Sequence, residues 1–294
     1  MRPSRSLRVP VRGLDYHVRA WGDPGGRTVF LLHGWMDVSA SFQFLADALP
    51  GDWHLLAPDW RGFGLSQTPE DGYWFADYVA DLDALARALS PDRPIEVAGH
   101  SLGANVAMMY AGARPANVAR IAALDGFGVP SDAPERAPIK LRKWLDALAA
   151  PPSLAPYRSL AAVADRLQKN NPRLSRAKAE WLAPHWAEVL ADGSARLRAD
   201  PKHKLPFPVN AHGDDMYAIW REITAPVLWL RAADSEIGRW LAGGGDAMSE
   251  IVRRFTHVPN GTLVTIEDAG HMLHHDQPEA VARHLAAFFS GPLR

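Results

Sequence analysis

The chain has 294 residues, 47% of them hydrophobic, enough to fill the core of one α/β unit carrying an insertion. Its 32 basic and 33 acidic residues leave a formal net charge of -1, which offers no global attraction to nucleic acid or to an anionic membrane. Cysteine is absent, which excludes disulfides and thiolate metal sites and suits a reducing, cytoplasmic setting. The opening "MRPSRSLRVPVRGLDYHV" holds basic residues but no apolar run of signal-peptide length, and no later run approaches a membrane span. From Leu14 to Trp21 the chain alternates, with Leu14, Tyr16, Val18 and Ala20 on one side, which predicts an early antiparallel strand.

Short apolar runs without alternation follow: "TVFLLHG" (28–34), "WHLLAPD" (53–59), "IEVAGH" (95–100), "RIAALDG" (120–126), "APVLWLRA" (225–232) and "TLVTIED" (262–268). Such runs suit strands buried on both faces of a parallel sheet. Between them, Phe75, Tyr78, Val79, Leu82, Leu85 and Leu89 recur at helical steps, as do Val281, Leu285, Phe288 and Phe289. Strand and helix therefore alternate, which predicts a doubly wound, mostly parallel α/β core.

The rhythm breaks between about Val129 and Tyr217. "LRKWLDALAA" and "LAAVADRLQKNN" have helical spacing, whereas "RADPKHKLPFPVNAHGDD" is broken by prolines and reads as irregular. The expected organisation is a core of residues 1–128 and 217–294 with a helical cap, 129–216, inserted over the carboxyl ends of the strands, where open α/β sheets place ligands.

Gly99-His100-Ser101-Leu102-Gly103 joins a predicted buried strand to a predicted helix. A turn this sharp strains the serine backbone, leaves room only for small flanking residues and lifts the hydroxyl clear of the sheet. Ser101 then stands at a helix N-terminus, whose free amides favour developing negative charge, so the Leu102 amide is a candidate oxyanion donor.

At this point the chain resembles the α/β-hydrolase family. "FLLHGWMDVSASF" is similar to the family's HG loop, "APDWRGFGLSQTP" to its D-x-R-G-x-G-x-S segment, and "EDAGHMLHHDQPEAVARHLAAFF" to its closing segment. The resemblance implies that the amide of Trp35 is the second oxyanion donor and that His271 is the base. It also implies that Asp59 and Arg61 form a structural pair ordering their loop. The chemistry agrees on the base: a serine hydroxyl is a weak nucleophile and needs a histidine within hydrogen-bond reach. His271 follows Gly270 at the end of the last predicted strand, on the sheet edge that carries Ser101. His274 and His275, one helical turn on, are expected to face solvent or the following helix, and His33 and His100 to shape their own turns through local hydrogen bonds.

A third group must orient the histidine. Where the family usually places its acid, this chain has Ser235, flanked by Asp234 and Glu236. Asp125, in "AALDGFG", is the preferred candidate because some α/β-hydrolases carry the acid after the sixth strand; Asp234 and Glu236 are the alternatives. Trp35 and Phe127 border the elbow and are candidate substrate-binding residues. Trp144, Trp181, Trp186 and Trp220 lie in or beside the cap, and most of the tryptophans are expected to serve core or cap packing.

The implied activity is a cofactor-free serine hydrolase acting on a small or medium uncharged ester or related acyl compound through an acyl-enzyme, with a small-molecule substrate and neither nucleic acid nor membrane as partner. Cleavage of a carbon–carbon bond, a thioester or a lactone uses the same machinery. A non-catalytic binder and a cofactor-free perhydrolase or oxygenase are rivals on the same scaffold. Dehalogenases and epoxide hydrolases are disfavoured because those relatives carry aspartate where Ser101 stands. No close-spaced ligand set such as HExxH is present, so no metal is expected in the chemistry.

Overall fold

The computed structural model describes residues 1–291. In chain order its elements are β1 (Ser4–Val11), β2 (Leu14–Trp21), β3 (Arg27–Leu32), α1 (Gln43–Ala48), β4 (Trp53–Pro58), α2 (Phe75–Leu89), β5 (Ile95–His100), α3 (Leu102–Ala113) and β6 (Val118–Leu124). There follow α4 (Ala137–Ala149), α5 (Leu160–Asn170), α6 (Arg176–Trp186), β7 (Ala187–Val189), β8 (Ala195–Leu197), α7 (Gly213–Arg221), β9 (Val227–Ala232), α8 (Ile237–Ala242), α9 (Ala247–Phe255), β10 (Gly261–Ile266), α10 (Leu273–Asp276) and α11 (Pro278–Ser290).

Eight strands form one sheet in the order β1-β2-β4-β3-β5-β6-β9-β10. Only β2 runs against its neighbours, pairing antiparallel with both β1 and β4. The chain winds from β3 to one flank through β4 and then crosses to the other through β5, so the winding reverses beside β3. The crevice at the carboxyl ends of β3 and β5 is the topological switch point where such sheets bind ligands.

The unalternating apolar runs are explained by burial on both faces. Along β3, Phe30 and Leu32 enter one apolar cluster with residues of α2, α3 and α7. Val29 and Leu31 enter the opposite cluster with Leu45 of α1 and with Val281, Leu285 and Phe289 of α11. The helical spacings read in α2 and α11 are those that bury Tyr78, Leu82 and Leu85, and Val281, Leu285 and Phe289.

Three features depart from the sequence expectation. Residues 4–11 form β1, the outer strand beside β2, although Pro10 interrupts their pattern; an edge strand tolerates the missing donor. Between β6 and β9, the helices α4, α5 and α6 are joined by a small antiparallel hairpin, β7–β8, too short to register as an apolar run. Val163, Leu167, Leu174 and Leu182 form a separate cluster there, closed by Phe44, on which Trp181 packs edge-on. The helix α7 straddles the expected boundary at residue 217, and its Tyr217 and Trp220 join the main core.

Candidate active site

The strand β5 ends at His100 and α3 begins at Leu102, so Ser101 alone makes the turn, at φ 51 and ψ -112. A residue with a β-carbon pays for that left-handed backbone in strain, which persists only where the surroundings enforce it. Here they do: a β-carbon on Gly99 would lie 2.4 Å from the carbonyl carbon of Gly103, and one on Gly103 would lie 2.1 Å from the carbonyl oxygen of Leu32. The flanking glycines are therefore required by close backbone approach. The Ser101 amide donates to the Leu124 carbonyl at 3.0 Å, tying the elbow to the end of β6.

His271 lies in the loop between β10 and α10. Its Nε2 is 3.1 Å from Ser101 Oγ and its Nδ1 is 2.8 Å from Asp125 Oδ2. A carboxylate only accepts, so in neutral His271 the proton sits on Nδ1, leaving the Nε2 lone pair to accept from the serine hydroxyl. Asp125 follows β6, is buried, and also receives the Ala232 amide on Oδ1 at 3.1 Å. The structure thus brings Asp125 to His271 and leaves both alternatives outside. Asp234 pairs with Arg173 at 2.7 Å on the surface, and Glu236 pairs with Arg239 with three quarters of its side chain exposed.

Ser235 was legible only as a gap in the expected pattern. Its hydroxyl donates to Asp125 Oδ2, the oxygen that receives His271. The two acid positions converge because β6 and β9 are parallel neighbours, Leu124 opposite Leu230, so the residues just beyond them meet.

The HG loop lies against the nucleophile: a β-carbon on Gly34 would sit 3.3 Å from Ser101 Cβ. His33 Nδ1 donates to the Gly34 carbonyl at 2.7 Å while its Nε2 accepts from the Trp60 amide at 2.9 Å. Across a trans peptide the Trp35 N–H points opposite to that carbonyl, away from His33. The expectation of a local hydrogen bond matches His33 but not His100, whose Nε2 donates to the distant His271 carbonyl at 2.8 Å and so ties the elbow to the His271 loop.

Asp59 and Arg61 are not partners of each other, contrary to the expectation. Asp59 receives His17 Nδ1 at 2.7 Å and the amides of Ser39 and Leu65, and so braces the residues after the HG loop. Burial alone would raise its carboxyl, but His17 and His33 and these donors bring it down to about 2. Arg61 instead grips Asp81 of α2 through two bonds of 2.5 and 2.6 Å. The two charges sit two residues apart but satisfy different elements.

Of the two settings expected for His274 and His275, solvent is excluded: both are buried, with their rings against Phe42 and Phe44. Burial lowers His33 to about 4 and His203 and His275 to about 3, against an ordinary value of 6.5. These rings are neutral when folded and protonate when unfolded, so their contribution is complete above pH 6.5 and is lost as pH falls toward 3. Asp37, raised to about 7 by burial, works in the opposite direction, binding its proton in the folded state first. His100, His185 and His274 are lowered in the same way, so the histidines outnumber the one raised carboxyl, unfolding takes up protons, and stability falls as pH drops from about 6 to 4. Urea unfolding at pH 7.5, 6.0 and 5.0 is expected to show this fall; equal stability at all three would contradict it.

Ser101 opens into a cavity of about 1290 Å³ whose walls come from the core and from the residues between β6 and β9. Trp35, Trp74, Met109, Trp144, Phe207 and Trp240 give it an apolar lining, with Arg136, Lys140 and Lys202 also on its wall. Trp35 is 54% exposed. Phe127 borders the cavity, but its ring is buried against Trp229, with centroids 4.9 Å apart. Trp144 of the cap lines this space, as do Trp74 and Trp240, which no local motif marked.

The fold and this site define a hydrolase of the α/β class, and comparison with known proteins agrees. A family model described as the alpha/beta hydrolase fold matches residues 27–278, and the chain belongs to that family. It is similar to a serine hydrolase-like protein of Danio rerio, 30% identical over 98% of this chain and 89% of that protein. A 2-(acetamidomethylene)succinate hydrolase of Mesorhizobium japonicum is 28% identical over 96% of this chain and 94% of its own length. Among solved structures, a hypothetical protein from Pseudomonas aeruginosa PAO1 superimposes with a TM-score of 0.85 at 28% identity, covering 97% of this chain and 99% of the other. No helix among the described residues is long and apolar enough to cross a membrane.

Proposed function

We propose that the protein is a serine esterase that hydrolyses uncharged esters with a medium or long apolar portion, by way of an acyl-enzyme on Ser101. The observation that carries this reading is the hydrogen-bonded chain from Asp125 through His271 to Ser101 at the floor of a large apolar cavity. His271 takes the Ser101 proton as the hydroxyl attacks the ester carbonyl, and Asp125 stabilises the imidazolium that forms. The amides of Trp35 and Leu102 receive the oxyanion, the second at the amino end of α3 where the helix field favours negative charge. His271 then protonates the leaving alcohol, and water activated by the same ring releases the acid. Ser235 holds the acid, and residues 129–216 act as a cap over the cavity.

The cavity exceeds the roughly 300–1,000 Å³ usual for small-molecule sites, so the expected substrate shifts from small or medium toward longer apolar groups. Each methylene that it desolvates is worth about 0.8 kcal/mol, or roughly fourfold in kcat/KM for each added carbon until the walls are reached. Hydrolysis of p-nitrophenyl esters from two to twelve carbons is therefore expected to rise with chain length and peak at six carbons or more. An optimum at acetate would contradict the assigned substrate class while leaving the serine chemistry in place.

A further inference from the structure

Behind the elbow, three buried side chains from three separate segments converge. Asp37 follows the HG loop, His100 closes β5 and His274 lies in α10; they are 3%, 2% and 0% exposed. One ligating atom from each lies within 4.8 Å of the other two. The Ser101 chemistry uses none of them.

The polar atoms gathered here are unsatisfied. Asp37 Oδ1 accepts the Val38 amide at 2.8 Å and the Ser41 hydroxyl, but its Oδ2 has no partner. Because His100 Nε2 donates to the His271 carbonyl, the lone pair of the neutral ring is on Nδ1, which is also unpartnered. Both ring nitrogens of His274 lack a partner. Buried polar atoms are almost always paired, so one such atom from each of three residues gathered in one place points to an occupant. Burial holds the rings of both His100 and His274 neutral, the form that binds metals, and an ion would displace the proton that burial otherwise favours on Asp37.

We propose that Asp37, His100 and His274 form a binding site for one divalent transition-metal ion of the Zn²⁺ or Co²⁺ class. Two imidazoles and one carboxylate suit that class, whereas Ca²⁺ and Mg²⁺ take oxygen ligands. The donor bond from His100 to a backbone carbonyl is the outer support that ligating histidines ordinarily carry, and the bonds to Asp37 Oδ1 fix that carboxylate in the same way. Small side-chain rotations draw the three atoms to about 2.0–2.2 Å from the ion, with water as a fourth ligand. The ligands lie at positions 37, 100 and 274, so no close-spaced motif announces them, and the expectation of no metal in the ester chemistry is unaffected. A bound ion would join the HG loop, the elbow and the His271 loop.

The test uses the full chain, untagged and stripped with chelator, titrated with Co²⁺. Expected are one ligand-field band saturating at one equivalent, a Tm raised by about 5 °C or more at a hundredfold excess over Kd, and loss of both in folded Asp37→Asn and His274→Gln. A crystal of the wild-type protein grown with Co²⁺ removes dependence on the variants' folding: the anomalous peak is expected between Asp37, His100 and His274. No uptake by folded wild type, the result if water or a shared proton satisfies these atoms, would overturn the proposal. Anomalous peaks confined to surface histidines, or unaltered uptake by the two folded variants, would overturn it equally.

Discussion

Replacing Asp125 with asparagine is expected to lower kcat/KM for the best ester by about 10⁴ while leaving the fold intact. The amide is nearly the same size, and its oxygen can still accept the Ala232 N–H that reaches Oδ1 at 3.1 Å. What is lost is the charge and the acceptor facing His271 Nδ1 at 2.8 Å. An amide nitrogen turned toward the ring favours the tautomer with the proton on Nε2, which then cannot take the proton of Ser101; loss of the equivalent charge in a serine protease triad has an effect of this size. The convergence of Ser235 on the same carboxylate oxygen sharpens the expectation. The double variant Asp125→Asn/Ser235→Asp is expected to recover at least tenfold of the lost rate, because the new carboxylate arises where the end of β9 meets the end of β6. Steady-state kinetics of wild type, the single variant and the double variant test both steps. Near-normal turnover in Asp125→Asn would remove Asp125 from the mechanism.

Replacing Ser101 with alanine is expected to be more damaging, by about 10⁶ in kcat, a loss comparable to removing the nucleophile of a serine protease. The folded protein should survive, and gain slightly, because alanine occupies the strained turn at φ 51 with no worse backbone than serine and leaves no hydroxyl to hold in place. Binding should also survive, since the walls formed by Trp74, Trp144 and Trp240 are untouched. A variant that binds ester product as tightly as wild type but does not turn over would separate the chemistry at Ser101 from the apolar cavity above it. Retained turnover would mean that another group attacks the ester.

Much of this arrangement is written in short stretches of sequence, and what is not has a geometric reason. The buried strands announce themselves because residues such as Val29 and Leu31 on one face and Phe30 and Leu32 on the other are all apolar. Ser101 is legible because Gly99 and Gly103 mark a backbone approach that admits no side chain. Asp125 remained one of three candidates since linear spacing does not reveal that the loops after β6 and β9 meet; the sheet order does. Asp59 and Arg61, two residues apart, looked like a pair, but their partners His17 and Asp81 lie on distant elements. The burial of His274 and His275 against Phe42 and Phe44 was not legible, because a four-residue helix has no periodicity to show its buried side. The cavity was the least legible feature, since its aromatic walls come from segments as far apart as Trp35, Trp144 and Trp240.

The most direct test of the central claim, a nucleophilic Ser101 activated by His271, is exposure of the wild-type protein to a fluorophosphonate followed by intact-mass spectrometry and peptide mapping. The expected result is one covalent adduct per chain, located on Ser101, absent from Ser101→Ala and formed at least a thousandfold more slowly in Asp125→Asn. Folded wild-type protein that stays unlabelled, or that labels elsewhere while Ser101 stays free, would contradict it.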